Sequence, residues 1–332
     1  MQQAIKEVAQ LLKRYNRFVL TTHVNPDGDG LGSEVALAEW LEAAGKRATI
    51  LNHSATPDFY KFLDPHGRIQ RFDERRDDST IAGADVILVL DTNHPDRLRS
   101  MEQHVLASPA IKVCIDHHLD PHPFAQYYIL DDDATSTGEI TYRLMKELDA
   151  HPFTPLIAQA LYCAIMTDTG SFRYPRVDAE THRIVAELIE FGADPVAIYH
   201  NVYEQWSAGR IQLLGDALAS LKTEYGGKLA HITVTQNDLK NTGTTEVDTD
   251  NFTVYPMNVA GVVAGILFLE LHDGVKISFR SKGDIPINEL AKEFGGNGHK
   301  NAAGARLYNC SLEDVRRQVI EAAGKYLNGR GK

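Results

Sequence analysis

Residues 21–37, TTHVNPDGDGLGSEVAL, set a histidine, an asparagine and two aspartates among glycine and proline. Oxygen and nitrogen donors at this spacing suit a cation. An EF-hand calcium loop would need ligands at its first, third and fifth positions, glycine at the sixth and a bidentate Glu at the twelfth. Asn25, Asp27, Asp29 and Gly30 fit the first half, but the twelfth position is Ala36 and Pro26 interrupts the loop. The preceding RFVLTTH reads as a short strand rather than an entering helix. Two further donor groups follow: Asp91 in LVLDT, and Asp116, His117 and His118 in CIDHH. Singly, each is ordinary. An aspartate after a strand is usually a cap or turn residue, and His23 alone would suit a hydrogen-bonded core.

The elements that must position these donors give them more weight. RFVLTTH precedes GSEVALAEWLEAAGK, an amphipathic helix expected to stop at Gly45. ATILN, ADVILVLDT and IKVCIDHH are continuous apolar runs, each with an acid, amide or histidine just past its end. Such runs suit central parallel strands buried on both faces. The fold class expected is α/β, a doubly wound and mainly parallel sheet, whose ligands sit outside the carboxyl ends of its strands. On this reading His23, Asp27 and Asp29 follow the first strand, Asp91 the third and Asp116–His118 the next, all at one edge. TPLIAQALYCAIMTDTGSF has helical spacing, which puts Asp168 at a helix C-terminus.

Carboxylates crowded in this way need a counter-charge. Two of them ~4 Å apart repel by about 4 kcal/mol at an effective dielectric of ~20. Imidazoles mixed among them favour cations over protons as the remedy. An oxygen-rich set with imidazoles and no thiolate suits Mn²⁺, with Mg²⁺, Co²⁺ or Fe²⁺ as substitutes. Six side chains exceed what one ion needs, and two ions sharing one carboxylate is the economical arrangement. Two such ions ~3.5–4 Å apart clamp phosphate oxygens and lower the pKa of a water between them towards ~7.

These residues carry a resemblance. HVNPDGDGLGS, LVLDTNHPDRL, CIDHH and MTDTGSF resemble, in order, the motifs of the DHH phosphoesterase family, and GGNGHKNAAGA resembles the glycine–histidine motif of the associated DHHA1 domain. The subfamily most resembled is that of stand-alone oligoribonucleases (nanoRNases) and 3′-phosphoadenosine-5′-phosphate phosphatases. The resemblance implies one metal held by His23, Asp27 and Asp91, and a second by Asp29, Asp91, His117 and Asp168, with Asp91 bridging. It implies Asp116 as the partner orienting a neighbouring imidazole, and His118 as a contact to the reacting phosphate. Asp91, His117, His118 and Asp116 are thus the catalytic group. One departure is Asn297, where the family's glycine run usually continues.

Beyond YGGK, LAHITVT, GVVAGILFLEL and VKISFRSK read as strands, the last two joined through HDG. A helix INELAKEF, a glycine loop, a strand GARLY and a final helix complete a smaller α+β domain. The divisions expected are a DHH domain over 1–192, a helical linker over 193–224, with Ile211, Leu214, Leu218 and Leu221 on one stripe, and a DHHA1 domain over 225–332. In the last, the glycine-dense loop offers backbone N–H groups to an anion. Arg280, Ser281, Gly296, Gly298 and His299 form the expected substrate contacts, with Lys282, Lys300 and Arg306 adding positive charge. A cleft between the domains would admit oligonucleotides of ~2–5 residues more readily than duplex.

Composition narrows the partners. The chain has 332 residues, 43% hydrophobic and 24% charged, as in an ordinary globular protein. A net charge of −11 argues against gripping long nucleic acid through many phosphates. Short single-stranded RNA or a nucleotide is the partner expected, with no long duplex and no membrane; a homodimer is allowed. MQQAIKEVAQLLKRYNRF reads as an amphipathic helix, not a signal peptide. Cys114, Cys163 and Cys310 sit in or beside apolar runs, as free thiols in a reducing cytoplasm.

Rival readings remain. A family II pyrophosphatase would need a dense basic diphosphate pocket, and a RecJ-type exonuclease would be longer. A phosphodiesterase of cyclic or linear dinucleotides (c-di-AMP, pApA) shares the requirements. A non-catalytic nucleotide sensor would have lost ligands, yet all six positions are filled.

Overall fold

The computed structural model describes residues 1–148 and 153–327. Its contacts divide the chain into two compact units, Met1–Gln205 and Trp206–Lys332. Within the first, α1 (Gln2–Arg14) leads into β1 (Arg17–Thr21), α2 (Gly28–Ala43), β2 (Arg47–Asn52), β3 (Ile69–Arg71), α3 (Glu74–Ala82) and β4 (Val86–Leu90). Then come α4 (Glu102–Ala107), β5 (Ile111–Asp116), β6 (Tyr127–Leu130), α5 (Thr137–Leu148), α6 (Pro155–Asp168), α7 (Ala179–Glu190) and α8 (Pro195–Tyr203).

Among the described residues β1–β6 form one sheet in the order β3-β2-β1-β4-β5-β6, with every pairing parallel. The apolar runs are explained by burial on both faces. Along β1, Phe18 and Leu20 join the larger core while Val19 faces the smaller one. Along β4, Val86, Leu88 and Leu90 alternate with Ile87 and Val89 in the same way. The order reverses between β1 and β4, and a doubly wound sheet opens its ligand crevice outside the carboxyl ends of two such strands.

Several sequence expectations need correction in this unit and the next. Two edge strands, β3 and β6, were not anticipated: IQR is too short and polar, and YYIL lies only four residues after a Pro-His-Pro loop. Asp91 therefore follows the fourth strand rather than the third. Helix α2 begins at Gly28, so Asp29 lies in its first turn and Asp27 is its N-cap, accepting from the Asp29 and Gly30 amides at 3.0 and 3.2 Å. Gly28 and Gly30 read as loop residues but, like Gly32, serve close packing: a Cβ on Gly32 would stand 2.3 Å from the Ala160 carbonyl oxygen of α6.

The second unit contains α9 (Ala208–Ala219), β7 (Lys222–Glu224), β8 (Leu229–Val234), α10 (Gln236–Thr242), β9 (Ala264–Leu271), β10 (Gly274–Ser281), α11 (Ile287–Glu293), β11 (Asn297–His299), β12 (Ala302–Tyr308) and α12 (Leu312–Leu327). Its sheet, in the order β11-β12-β10-β9-β8-β7, is mixed: β8 and β9 pair in parallel and the other neighbours antiparallel. Lys222–Glu224 is the strand β7, not the tail of a helix. On α9 the buried residues are Leu213, Leu214 and Ala217, whereas Ile211 is 54% exposed, so the stripe is rotated from the expected one. No described helix is long and apolar enough to cross a membrane. Cys114 and Cys163 are buried free thiols and Cys310 is a half-buried one.

Candidate metal centre

The donors meet at the carboxyl edge of the first sheet. His23 lies two residues beyond β1, Asp91 follows β4 directly, and Asp116 ends β5 with His117 and His118 after it. Asp27 and Asp29 come from the start of α2, and Asp168 is the last residue of α6. Ligand atoms of His23, Asp27 and Asp91 lie within 4.8 Å of one another, as do those of Asp29, His117 and Asp168, and those of Asp91, Asp116, His117 and His118.

Asp91 faces two ways. Its Oδ2 stands 3.3 Å from His23 Nε2, and its Oδ1 stands 3.7 Å from His117 Nε2. His117 Nε2 also lies 3.2 Å from Asp168 Oδ2 and 3.7 Å from Asp29 Oδ2. His23 Nδ1 is 2.9 Å from the Val24 carbonyl. Arg97 Nη2, which can only donate, lies 3.2 Å from the same nitrogen, but the carbonyl is nearer and can only accept, and the tautomer it selects turns the Nε2 lone pair towards the carboxylates.

The surrounding backbone fixes the acids. The first amides of α5, on Thr137 and Gly138, donate to Asp29 Oδ2 at 2.7 Å and Oδ1 at 2.8 Å. The Thr137 hydroxyl donates to Asp91 Oδ1 at 3.1 Å. Asp91 itself is held in the left-handed region at φ 62°, its amide donating to the Ile115 carbonyl. Asp116 Oδ1 binds His118 Nδ1 at 2.7 Å and accepts from the His117 amide at 2.9 Å, so the imidazole it orients is His118. Asn93 Nδ2 donates to the His118 carbonyl at 2.8 Å.

Thr137, Gly138 and Asn93 were missed in the sequence. The signal for the first two is Ser136 with Glu139 three residues on, a pattern that marks a helix N-terminus and hence amides able to hold an anion; in the structure Ser136 Oγ accepts from the Glu139 amide, while the Glu139 carboxylate accepts from the Thr135 amide. Asn93 gives no such signal.

The electrostatics ask for cations. Burial first, then the charges of Asp91, Asp168 and Asp27, push the Asp29 carboxyl well above its ordinary range. Burial, with Asp27, Asp168 and Asp116, does the same to Asp91. Asp168 is pushed up to about 7, by burial and then by Asp27. His117 is pushed down to about 4, chiefly by burial and then by His118. Among the described residues, neither ring nitrogen of His117, nor Asp116 Oδ2, has a hydrogen-bond partner although all three are buried. Bare nitrogen and oxygen atoms beside crowded carboxylates are the donor set of a cation, which would reverse the upward carboxyl shifts and keep His117 neutral as a ligand. The residues therefore fit divalent metal.

In the second unit the expected substrate contacts are placed differently. The glycine loop is largely a hairpin: Asn297 pairs with Gly304, Gly298 with Ala303 and His299 with Ala302. Gly298, at φ 142°, would bring a Cβ to 2.4 Å from the Ala302 carbonyl oxygen. Arg280 lies near the end of β10 and is half-buried, its Nη1 donating to the Phe279 carbonyl at 3.3 Å. The Ser281 hydroxyl donates to the Ile285 carbonyl at 2.7 Å and accepts from Asn301. The side chain of His299 lies outside the described part. Lys282 Nζ is bound to the carbonyls of Met257 and Val262, Lys300 pairs with Asp284, and Arg306 with Glu246. Much of the expected local positive charge is thus committed.

Both parts of the chain match known families. Residues 17–165 match the DHH family, N-terminal domain, and residues 226–329 match the DHHA1 domain. The chain is 28% identical over 325 residues to a bifunctional oligoribonuclease and PAP phosphatase, NrnA, of Thermus thermophilus, covering 98% of this chain and 94% of that one. It is 28% identical to the NrnA of Bacillus subtilis, covering 93% and 95%. A crystal structure of an exopolyphosphatase-related protein from Bacteroides fragilis superposes with a TM-score of 0.94 at 32% identity, over 99% of this chain and 98% of that one.

Proposed function

Since the chain belongs to the DHH/DHHA1 phosphoesterase family, we propose that it hydrolyses short oligoribonucleotides to mononucleotides, removes the 3′-phosphate of phosphoadenosine phosphate, or does both. The observation that carries the metal-dependent chemistry is Asp91, with one oxygen towards His23 and the other towards His117. His23, Asp27 and Asp91 would hold one divalent ion, and Asp29, Asp91, His117 and Asp168 the other, with Mn²⁺ the best fit to the donor set. When bound, such a pair supplies Lewis acidity and an activated water.

The chain's own residues do the rest. The α5 amides hold both oxygens of Asp29, so that carboxylate cannot swing when phosphate enters. Asp116 clamps His118 through Nδ1, so the ring is positioned to contact the reacting phosphate. A fixed donor aimed at developing phosphoryl charge needs no reorganisation during reaction. Arg280, Gly296, Gly298 and His299 are the proposed contacts to the nucleotide end, with Ser281 bracing their support. Arg280→Ala should then raise KM more than it lowers kcat.

The deciding experiment is turnover with Mn²⁺ on 5′-phosphorylated di- to pentaribonucleotides, phosphoadenosine phosphate, cyclic di-AMP and pyrophosphate. Cleavage of the short oligoribonucleotides or of phosphoadenosine phosphate, abolished in Asp91→Ala, is expected. Cleavage of pyrophosphate alone would overturn the reading.

A further inference from the structure

Among the described residues of the first unit, only after Asp168 do three successive residues take positive φ: Gly170 at 56°, Ser171 at 59° and Phe172 at 64°. Such backbone costs about 1–3 kcal/mol at each non-glycine position and tends to persist where it serves a site. The reversal is closed by the Ser171 amide on the Met166 carbonyl at 2.8 Å and the Tyr174 amide on the Thr169 carbonyl at 3.1 Å. It lays the Tyr174 ring on Gly170, where an added Cβ would stand 2.6 Å from ring carbons. The ring nevertheless stays 56% exposed.

Helix α8 brings more phenols to the same place. The Tyr203 hydroxyl meets the Ser171 side chain. The Tyr199 ring lies 4.9 Å from that of Tyr203 and is 43% exposed. Burial pushes the Tyr203 phenol up, and the phenols of Tyr174 and Tyr199 add to this. Arg176 is exposed and makes no hydrogen bond or ion pair among the described residues. Its charge reaches both Asp168 and His117. Arg173, in contrast, is committed to the Gly170 carbonyl at 2.7 Å.

A single exposed tyrosine needs no explanation. Two exposed phenols and an unpartnered arginine, beginning six residues from a proposed metal ligand, are a different matter. We propose that Tyr174, Tyr199 and Arg176 form a nucleobase-binding subsite. The open face of Tyr174 stacks on the base next to the phosphate being cleaved, Tyr199 walls the base, and Arg176 forks onto a neighbouring phosphate. The inference rests on the nucleotide phosphoesterase reading above and adds to it how a base is held. Aromatic faces take any base, so the subsite favours nucleotides over base-free phosphates without selecting sequence. Arginine suits the phosphate because its planar donors match two oxygens at once.

The test uses the full chain with Mn²⁺ on pApA and on its abasic analogue. Stacking is worth about 1–3 kcal/mol per base, and each 1.4 kcal/mol is tenfold. Tyr174→Ala should therefore lower the ratio of kcat/KM for pApA over the abasic analogue by about five- to hundredfold, through KM. Tyr174→Phe should restore the ratio, since the ring and not the hydroxyl stacks. Arg176→Ala should raise KM more for pApA than for the dephosphorylated ApA. An unchanged ratio in Tyr174→Ala would overturn the subsite. Should the wild type cleave neither compound, the phosphoesterase reading fails separately, and binding decides the subsite. Saturation-transfer NMR with AMP should then show contact to the adenine protons that Tyr174→Ala loses; equal signals from both proteins would refute it.

Discussion

At the residue scale, neighbours of the donor cluster matter as much as its members. Thr137 touches Asp91 through its hydroxyl and Asp29 through its amide. Thr137→Val keeps the amide and removes the hydroxyl, and should weaken Mn²⁺ binding by about 10–100-fold, the usual effect of losing a hydrogen bond to a ligand. Calorimetric titration checks this. Glu34, not itself a proposed ligand, offers a pH test. It is fully buried, accepts from Asn52 Nδ2 at 2.8 Å, and is pushed up to about 8 by burial. A carboxyl whose folded pKa exceeds its unfolded one binds more protons in the native state, so stability falls as pH rises between the two values. Each pKa unit is worth about 1.4 kcal/mol. In chelator, the wild type should therefore lose a few kcal/mol more than Glu34→Gln between pH 4.5 and 8. Urea unfolding at both pH values measures the difference; parallel curves would contradict it.

At the element scale, α2 and α6 carry Asp29 and Asp168 and touch where Gly32 meets the Ala160 carbonyl. Gly32→Ala forces a methyl group against the Ala160 carbonyl oxygen, which cannot rotate away. Overpacking costs about 1–3 kcal/mol, or roughly 2–12 °C of Tm for a unit this size, and Mn²⁺ affinity should fall with it because both helices shift. The same elements show what the sequence could convey. Apolar runs buried on two faces announced β1, β2, β4 and β5, and the donors past their ends followed from parallel topology. Short edge strands such as β3 bury little, so IQR carried no pattern to read. Glycines were harder to interpret, because a residue without a side chain looks alike in a turn, in a phosphate cradle and in a close contact. Gly28, Gly30 and the Asn297–His299 hairpin read as loops for that reason, although tertiary packing explains several of these glycines. The reversal at Gly170–Phe172 had only its glycine to announce it.

At the scale of the whole molecule, an acidic chain carries its most concentrated buried negative charge at the one edge that divalent cations would neutralise. Folding and metal binding are then linked. Ligand at about 100 times its Kd stabilises by roughly 2.7 kcal/mol per site, so Mn²⁺ should raise the Tm of the wild type by several degrees, and chelator should reverse this. Asp91→Ala, lacking the carboxylate proposed for both ions, should show little of the response. The most direct measurement is an anomalous-difference map at the manganese edge from Mn²⁺-soaked crystals. The account predicts two peaks ~3.5–4 Å apart, one beside His23 and Asp27, the other beside Asp29, His117 and Asp168, with Asp91 between them. A map without peaks there, with those side chains apart, would contradict it.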